Sequence, residues 1–429
     1  MRSLKSLVVL MFAVASPAYA YRMSAWVPSW DSSAPAIMGI HARDLHETNP
    51  GWMYANPDGT VRLSGETAQL RSALAGTLLM PTIKNYANGS FDGAMVTTIV
   101  NSDTLRAQHA DAIVQAVVQN GYDGVDVDYE RISSGAKAGY TTFIQLLAAK
   151  LHASKKQLSV TVQANSSALD WPAIGAAADS VKIMAYDYHW TTSAAGAIAP
   201  LDWLDKVAAD AERLLGQKAM IGLPWYGYDW LGTAGVGVTY AQAMSKAQSA
   251  GIAVGRDANG EATYTYDGRT VFFQDAESYR RKVESIIARH GGIGGFAHWR
   301  VGAEDPAIWD VVGELHLLAG GSSPTTTIPP KDFRIEGPSE IAMIAGTESS
   351  TRFGFLGING FTGPVNLSAT PLDPWSGTLF TNGTSLVVKT AVAGTYRIAL
   401  TMTGGGITRE SVVTLRVSAA KIAKRRSVH

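Results

Sequence analysis

Gly121-Tyr122-Asp123-Gly124-Val125-Asp126-Val127-Asp128-Tyr129-Glu130 is the stretch from which the rest of the chain is read. Val125 and Val127 alternate with Asp126, Asp128 and Glu130, and a period of two is the mark of a β-strand. On a strand the three acids share one face, with roughly 6.6 Å between successive members. Carboxylates are almost never buried unpaired, so a row of three needs a reason beyond stability. A solvated strand face would supply one, but the neighbouring runs are too apolar for this strand to lie outside. A calcium loop would want D-x-D-x-D-G, whereas Gly124 precedes most of these acids. A row of structural ion pairs would need cations at matching spacing, and Arg131 alone is a poor one. What remains is a catalytic acid supported by carboxylates that share protons. Like charges this close cannot all ionise, so at least one pKa is expected to rise.

Outward from that strand, strand-like and helix-like runs alternate between residues 21 and 317, which argues for a parallel sheet. The strand candidates are 24–30, 52–55, 77–86, 124–130, 157–164, 181–188, 219–225 and 294–299. Between them lie helical patterns such as 104–120, where Leu105, Ile113, Val114, Val117 and Val118 form one stripe and Asn120-Gly121 a stop. Eight such repeats in about 300 residues predict an α/β fold, a (β/α)8 TIM barrel whose functional residues sit at the C-terminal strand ends. Glu130 ends the fourth strand. Residues 231–272 interrupt the seventh repeat with a helical run (240–250) and a hairpin turning at Asp267-Gly268.

The segment Asp123–Glu130 resembles the D-G-x-D-x-D-x-E signature of family 18 glycoside hydrolases, the chitinase family. Further similarity extends over roughly residues 21–317. Met184, Tyr186 and Asp187 on the sixth strand resemble the family's M-x-Y-D motif, and Gly222-Leu223-Pro224-Trp225-Tyr226-Gly227 its GLP-aromatic-aromatic-G segment. Trp299 matches the tryptophan that floors the cleavage subsite. The insertion resembles a small α+β module that walls the cleft in one branch of the family. The usual S-x-G-G of the third strand is missing, and Thr82-Ile83-Lys84-Asn85 stands in its place. Together with Val271–Asp275, that pattern is similar to the branch of bacterial spore-cortex and cell-wall N-acetylglucosaminidases.

The resemblance implies retaining, substrate-assisted cleavage beside N-acetylglucosamine, in chitin or in the glycan of peptidoglycan. Glu130 would be the acid, Asp128 would orient the acetamido group, and Asp126 would share a proton with Asp128. Tyr186 and Asp187 would hold the acetamide. Substrate contacts would come from Trp299, Trp26, Met184, Trp190, Trp225, Tyr226 and Asn85. No cofactor and no metal is expected, and His189 and His298 are read as structural. An endo-acting enzyme releasing N-glycans shares the signature; a lectin on the same barrel is the third reading, although Glu130 is present.

The ends and the composition complete the expectation. Residues 1–20 read as a secretory signal peptide, with Arg2 and Lys5, an apolar run and Ala18-Tyr19-Ala20 before the cleavage point. The protein is thus expected to be secreted or periplasmic. With no cysteine it has no disulfide to assist it there. Lys plus Arg and Asp plus Glu are both 36, so charge offers no reason to invoke nucleic acid or an anionic membrane. Residues 319–331, rich in Gly, Ser, Thr and Pro, read as a linker. From 332 to 418 short β runs without helical period predict an all-β sandwich. Gly394-Thr395-Tyr396-Arg397-Ile398 resembles the G-x-Y-x-C of immunoglobulin-like domains, with Ile398 at the cysteine position. A spacer is the favoured role, and cell-wall contact the functional alternative. Residues 419–429 form a basic tail.

Overall fold

The chain divides into two compact units, Met1–Ser322 and Ser323–His429, each described by itself below. The computed structural model describes residues 21–164, 166–318, 332–358 and 364–419. The expected signal peptide, the linker and the tail beyond residue 419 lie outside these residues.

In the first unit the strands Arg22–Val27, Glu47–Pro50, Gly124–Asp128, Gln157–Gln163, Ser180–Met184, Ala219–Pro224 and Gly295–Trp299 belong to one sheet. They pair in parallel through the fourth to the eighth strand, and the eighth pairs with the first. Closure runs through two broken strands. The second strand consists of Glu47–Pro50 and Met53–Ala55, the third of Leu78–Leu79 and Thr82–Lys84. The early halves pair with each other and so do the late halves, which seals the cylinder. The expected (β/α)8 barrel is the fold found, but its fourth strand ends at Asp128 and its sixth at Met184, so Glu130, Tyr186 and Asp187 follow their strands. The second strand begins at Glu47 rather than Trp52, because Glu-Thr-Asn-Pro carries a proline and no apolar alternation. Its polarity has a cause inside the barrel, described below.

Local chemistry sets the frame around the fourth strand. Val125 and Val127 are fully buried with Ile113, Val117, Phe143 and Leu147 of the flanking helices Asp103–Gln119 and Lys137–Ala153. Ser102 caps the first of these by accepting the Leu105 N–H at 3.3 Å, which contributes about 1 kcal/mol. Asp123 accepts the Leu79 N–H at 2.9 Å and ties the start of the fourth strand to the third.

The insertion is a five-stranded antiparallel sheet with the helix Tyr240–Ala250, and it begins at Gly227, a few residues before the expected boundary. Asp267 and Gly268 both have positive φ, 45° and 72°, as a two-residue hairpin turn requires. Four contacts tether this module to the barrel, three of them to its loops and one to the helix Ala276–Arg289. The Ile198 N–H donates to Glu261 at 2.6 Å and Lys282 donates to the same carboxylate at 2.9 Å. Trp230 Nε1–H donates to the Trp190 carbonyl at 3.0 Å, and the Gly235 N–H to the Thr191 carbonyl at 2.7 Å.

The second unit is all β. A four-stranded sheet (340–344, 407–418, 394–404, 366–371) and a three-stranded one (348–352, 385–389, 378–382) contribute to a single core. Ile398 is fully buried in that core beside Leu386, Leu400 and Leu415.

Candidate active site

The inward face of the barrel is polar where a barrel core is usually aliphatic. Asp126 is completely buried and accepts from five side chains: Trp26 Nε1 at 3.0 Å, Thr82 Oγ1 at 3.1 Å, Ser159 Oγ at 2.7 Å, Thr161 Oγ1 at 3.2 Å and Lys182 Nζ at 3.1 Å. Lys182 also donates to Glu47 at 2.6 Å and to Asn49 at 2.8 Å, which explains the polar second strand. Burial alone would raise the Asp126 pKa. The Lys182 charge and the bonds from Ser159 and Trp26 outweigh it and hold the carboxyl below its ordinary range. The ion-pair partner that local spacing around residue 126 does not offer is thus present after all, supplied by the sixth strand.

Asp128 lies two residues on, on the same face, in the opposite condition. Burial first, then the charges of Glu130 and Asp126, push its pKa well above the carboxylate range, against Lys84 and Lys182. Its Oδ1 is buried with no hydrogen-bond partner. A buried acid with a raised pKa and an unused oxygen is a group waiting for a ligand.

Glu130 stands just past the strand. Asn85 grips its backbone from both sides: the Glu130 N–H donates to Asn85 Oδ1 at 3.0 Å, and Asn85 Nδ2 donates to the Glu130 carbonyl at 2.9 Å. On the far side Gly93 comes so close that a Cβ there would meet the Arg131 carbonyl oxygen at 1.8 Å. The main chain around Glu130 is therefore fixed while its side chain stays partly exposed. Burial raises its pKa to about 7, offset by Arg131 and reinforced by Asp187.

The sixth and seventh strands complete the ring of acids. Asp187, at φ 58°, accepts from Tyr226 OH and, at 2.9 Å, from Tyr228 OH. Burial raises its pKa against those two bonds. The Tyr186 pKa rises too, through burial and then the charges of Asp128 and Asp187. Beside these groups a narrow cleft is lined by Trp26, Trp30, Lys84, Asp128 and Trp299 among others. The Trp299 ring lies 6.1 Å from that of Trp26 and 6.5 Å from that of Trp30.

The structure thus brings Asp126, Asp128, Glu130, Tyr186 and Asp187 together, with Trp26 and Trp299 at the cleft. Met184 is half-buried at the end of its strand, and Trp190 is 54% exposed on the following loop. Two expected substrate contacts, Trp225 and Asn85, are corrected. Trp225 is fully buried, stacked on His298 at 4.4 Å and edge-on to Trp309 at 4.9 Å. On a strand its parity is that of Leu223, facing the helices, so the alternation already argued against a cleft position. Tyr226 spends its hydroxyl on Asp187. Asn85 is fully buried and holds Glu130 rather than facing a ligand. Sequence reasoning missed Lys182, Glu47, Asn49, Tyr228 and Lys84 as parts of the site. For Lys182 the signal was a lysine alternating with Val181 and Ile183 in an otherwise apolar strand.

A closed barrel with titratable carboxyls and indole rings gathered at the C-terminal mouth has the architecture of a barrel enzyme. The sequence profile of Glycosyl hydrolases family 18 matches residues 66–304, more than half of the chain. The chain belongs to family 18 of the glycosyl hydrolases. A cortical fragment-lytic enzyme of Bacillus anthracis is 26% identical over 286 residues, covering 61% of this chain and 65% of that protein. A class V chitinase of Arabidopsis thaliana is 26% identical over 290 residues, 56% of this chain and 72% of the other. Among solved structures, the Bacillus cereus spore cortex-lytic enzyme SleL aligns with a TM-score of 0.63 at 24% identity, covering 70% of this chain and 74% of that one. A chitinase from Chromobacterium violaceum gives the same TM-score and identity and is covered to 99%. These two likenesses bear on the fold. The chain spans 54% of the length of one curated relative and 65% of another.

Proposed function

We propose that the chain is an exported glycoside hydrolase that cleaves beside N-acetylglucosamine, with retention, using the substrate's own acetamido group. One observation carries this reading: burial pushes up the pKa of two neighbouring acids, one partly exposed and one buried with a free oxygen. A deeply buried Asp128 whose pKa is pushed up is poorly suited to act as a nucleophile, which favours an internal one over a covalent glycosyl-enzyme. Glu130 protonates the glycosidic oxygen as the bond breaks. The acetamido oxygen attacks the anomeric carbon and closes an oxazolinium ring. Asp128 orients that amide, and the growing positive charge favours its ionised form. Asp126, ionised two residues away on the same face, sets the charge that Asp128 feels as the amide becomes positive. Tyr186 and Asp187 hold the amide in line. Water that gives a proton to Glu130 then attacks the anomeric carbon from the face the leaving group left, so configuration is retained.

The substrate in this reading is chitin or a peptidoglycan glycan, and the names of the relatives favour both. The all-β unit serves as a spacer. Incubation with chitin oligomers, peptidoglycan and a high-mannose glycoprotein, with products read by mass, tests it. Products with N-acetylglucosamine at the new reducing end from either of the first two are expected; release of intact N-glycans alone would overturn the substrate class.

Because the acid must enter the reaction protonated, kcat/KM is expected to fall as pH rises through about 7, the value to which burial lifts Glu130. A carboxylate left at its ordinary pKa would instead put that limb roughly two units lower. A pH–rate profile on a chitin oligomer with a chromogenic leaving group distinguishes the two, and a limb near 4.5 would show that burial does not raise the pKa of the acid.

A further inference from the structure

We propose that Lys84 reads a carboxylate on the glycan, so that the cleft prefers strands bearing anionic substituents to neutral chitin. The inference rests on the glycosidase reading above and names the substrate class within it.

Lys84 stands opposite Asp128 on the adjacent strand, and both line the cleft with Trp26, Trp30 and Trp299. Its ammonium lies 5.3 Å from the Trp30 ring and 5.0 Å from the Tyr54 ring, which hold it in place. A Cβ at residue 51 would come within 2.8 Å of Nζ, so Gly51 leaves it room. Among the described residues no carboxylate comes within ion-pair distance of Nζ, and none of its three N–H groups donates to a protein acceptor. Lys182, the other lysine inside the barrel, is bonded to two carboxylates and an amide. A half-buried ammonium without a bonded partner is unfavourable; burial lowers the Lys84 pKa, against the charge of Asp128. A ligand anion in the cleft would satisfy it.

Chitin offers only hydroxyls and amides. The alternating glycan of peptidoglycan carries a lactyl ether on every second sugar, which ends in a free carboxylate where the stem peptide has been removed. Peptide-bearing strands carry their carboxylates further out, on the stem. Both sources present the same chemistry to Lys84.

The test is binding, measured on Glu130→Gln protein so that turnover does not enter. Affinities for a chitin oligomer, for peptide-free glycan strands and for peptide-bearing strands are compared with and without Lys84→Met, and with Lys84→Arg. The ratio of glycan-strand to chitin affinity is expected to fall at least ~10-fold in Lys84→Met and to be retained in Lys84→Arg. A fall on peptide-free strands assigns the lactyl carboxylate, and a fall on peptide-bearing strands alone assigns the stem. Equal loss for all three ligands, or no loss, would overturn the proposal and leave Lys84 acting on Asp128 alone. Failure of the glycosidase reading would show separately, as a wild-type protein that cleaves none of the three.

Discussion

Glu130→Gln is expected to yield a folded barrel whose turnover on chitin oligomers or glycan strands falls about 100- to 10,000-fold, the usual contribution of a positioned general acid. The amide keeps the size and shape of the side chain but has no proton to give. Folding should survive because the bonds that fix this position run to the main chain. Asn85 grips the Glu130 N–H and carbonyl, and both remain in the variant. The substitution also removes an ionisable neighbour that, once charged, pushes the Asp128 pKa up. Circular dichroism and the thermal midpoint check the fold, and kcat checks the chemistry. Turnover within a factor of a few of the wild type would show that the proton comes from elsewhere.

Lys182→Met is expected to destabilise the barrel by about 3–5 kcal/mol, the cost of leaving buried charge uncompensated. Lys182 and Asp126 are completely buried and Glu47 is 5% exposed, so water cannot take over the ammonium's part. The urea midpoint of the first unit's transition is the measurement. Adding Glu47→Gln and Asp126→Asn to the same chain should recover most of the loss, since the stranded charges go too. If the single variant costs less than about 1 kcal/mol, the cluster is already neutral and the account of Asp126 is wrong.

The barrel and its acid row were legible in the sequence because both repeat. A strand with acids on one face and valines on the other has a period, and eight alternating runs have a count. What was not legible depends on closure of the cylinder. Lys182 meets Asp126 across 56 positions and Glu47 across 135, distances over which no local spacing speaks. The second strand was placed late for the same reason: Glu47 and Asn49 look like loop residues until the lysine they serve is in view. Asn85 was assigned to the site but to the wrong partner, since its position in the third strand says where it is and nothing of which way its amide turns. For Trp225 the alternation with Leu223 was available and pointed outward. The tryptophans divide by parity and burial rather than by type.

The tethers of the inserted module have a kinetic corollary. Glu261 is salt-bridged to Lys282 and takes the Ile198 N–H, while Trp230 and Gly235 hold the loop that carries Trp190. Swinging this side outward would sever all of these bonds together, one of them a buried ion pair. The module is therefore fixed to the barrel, and its amides are expected to exchange together rather than strand by strand.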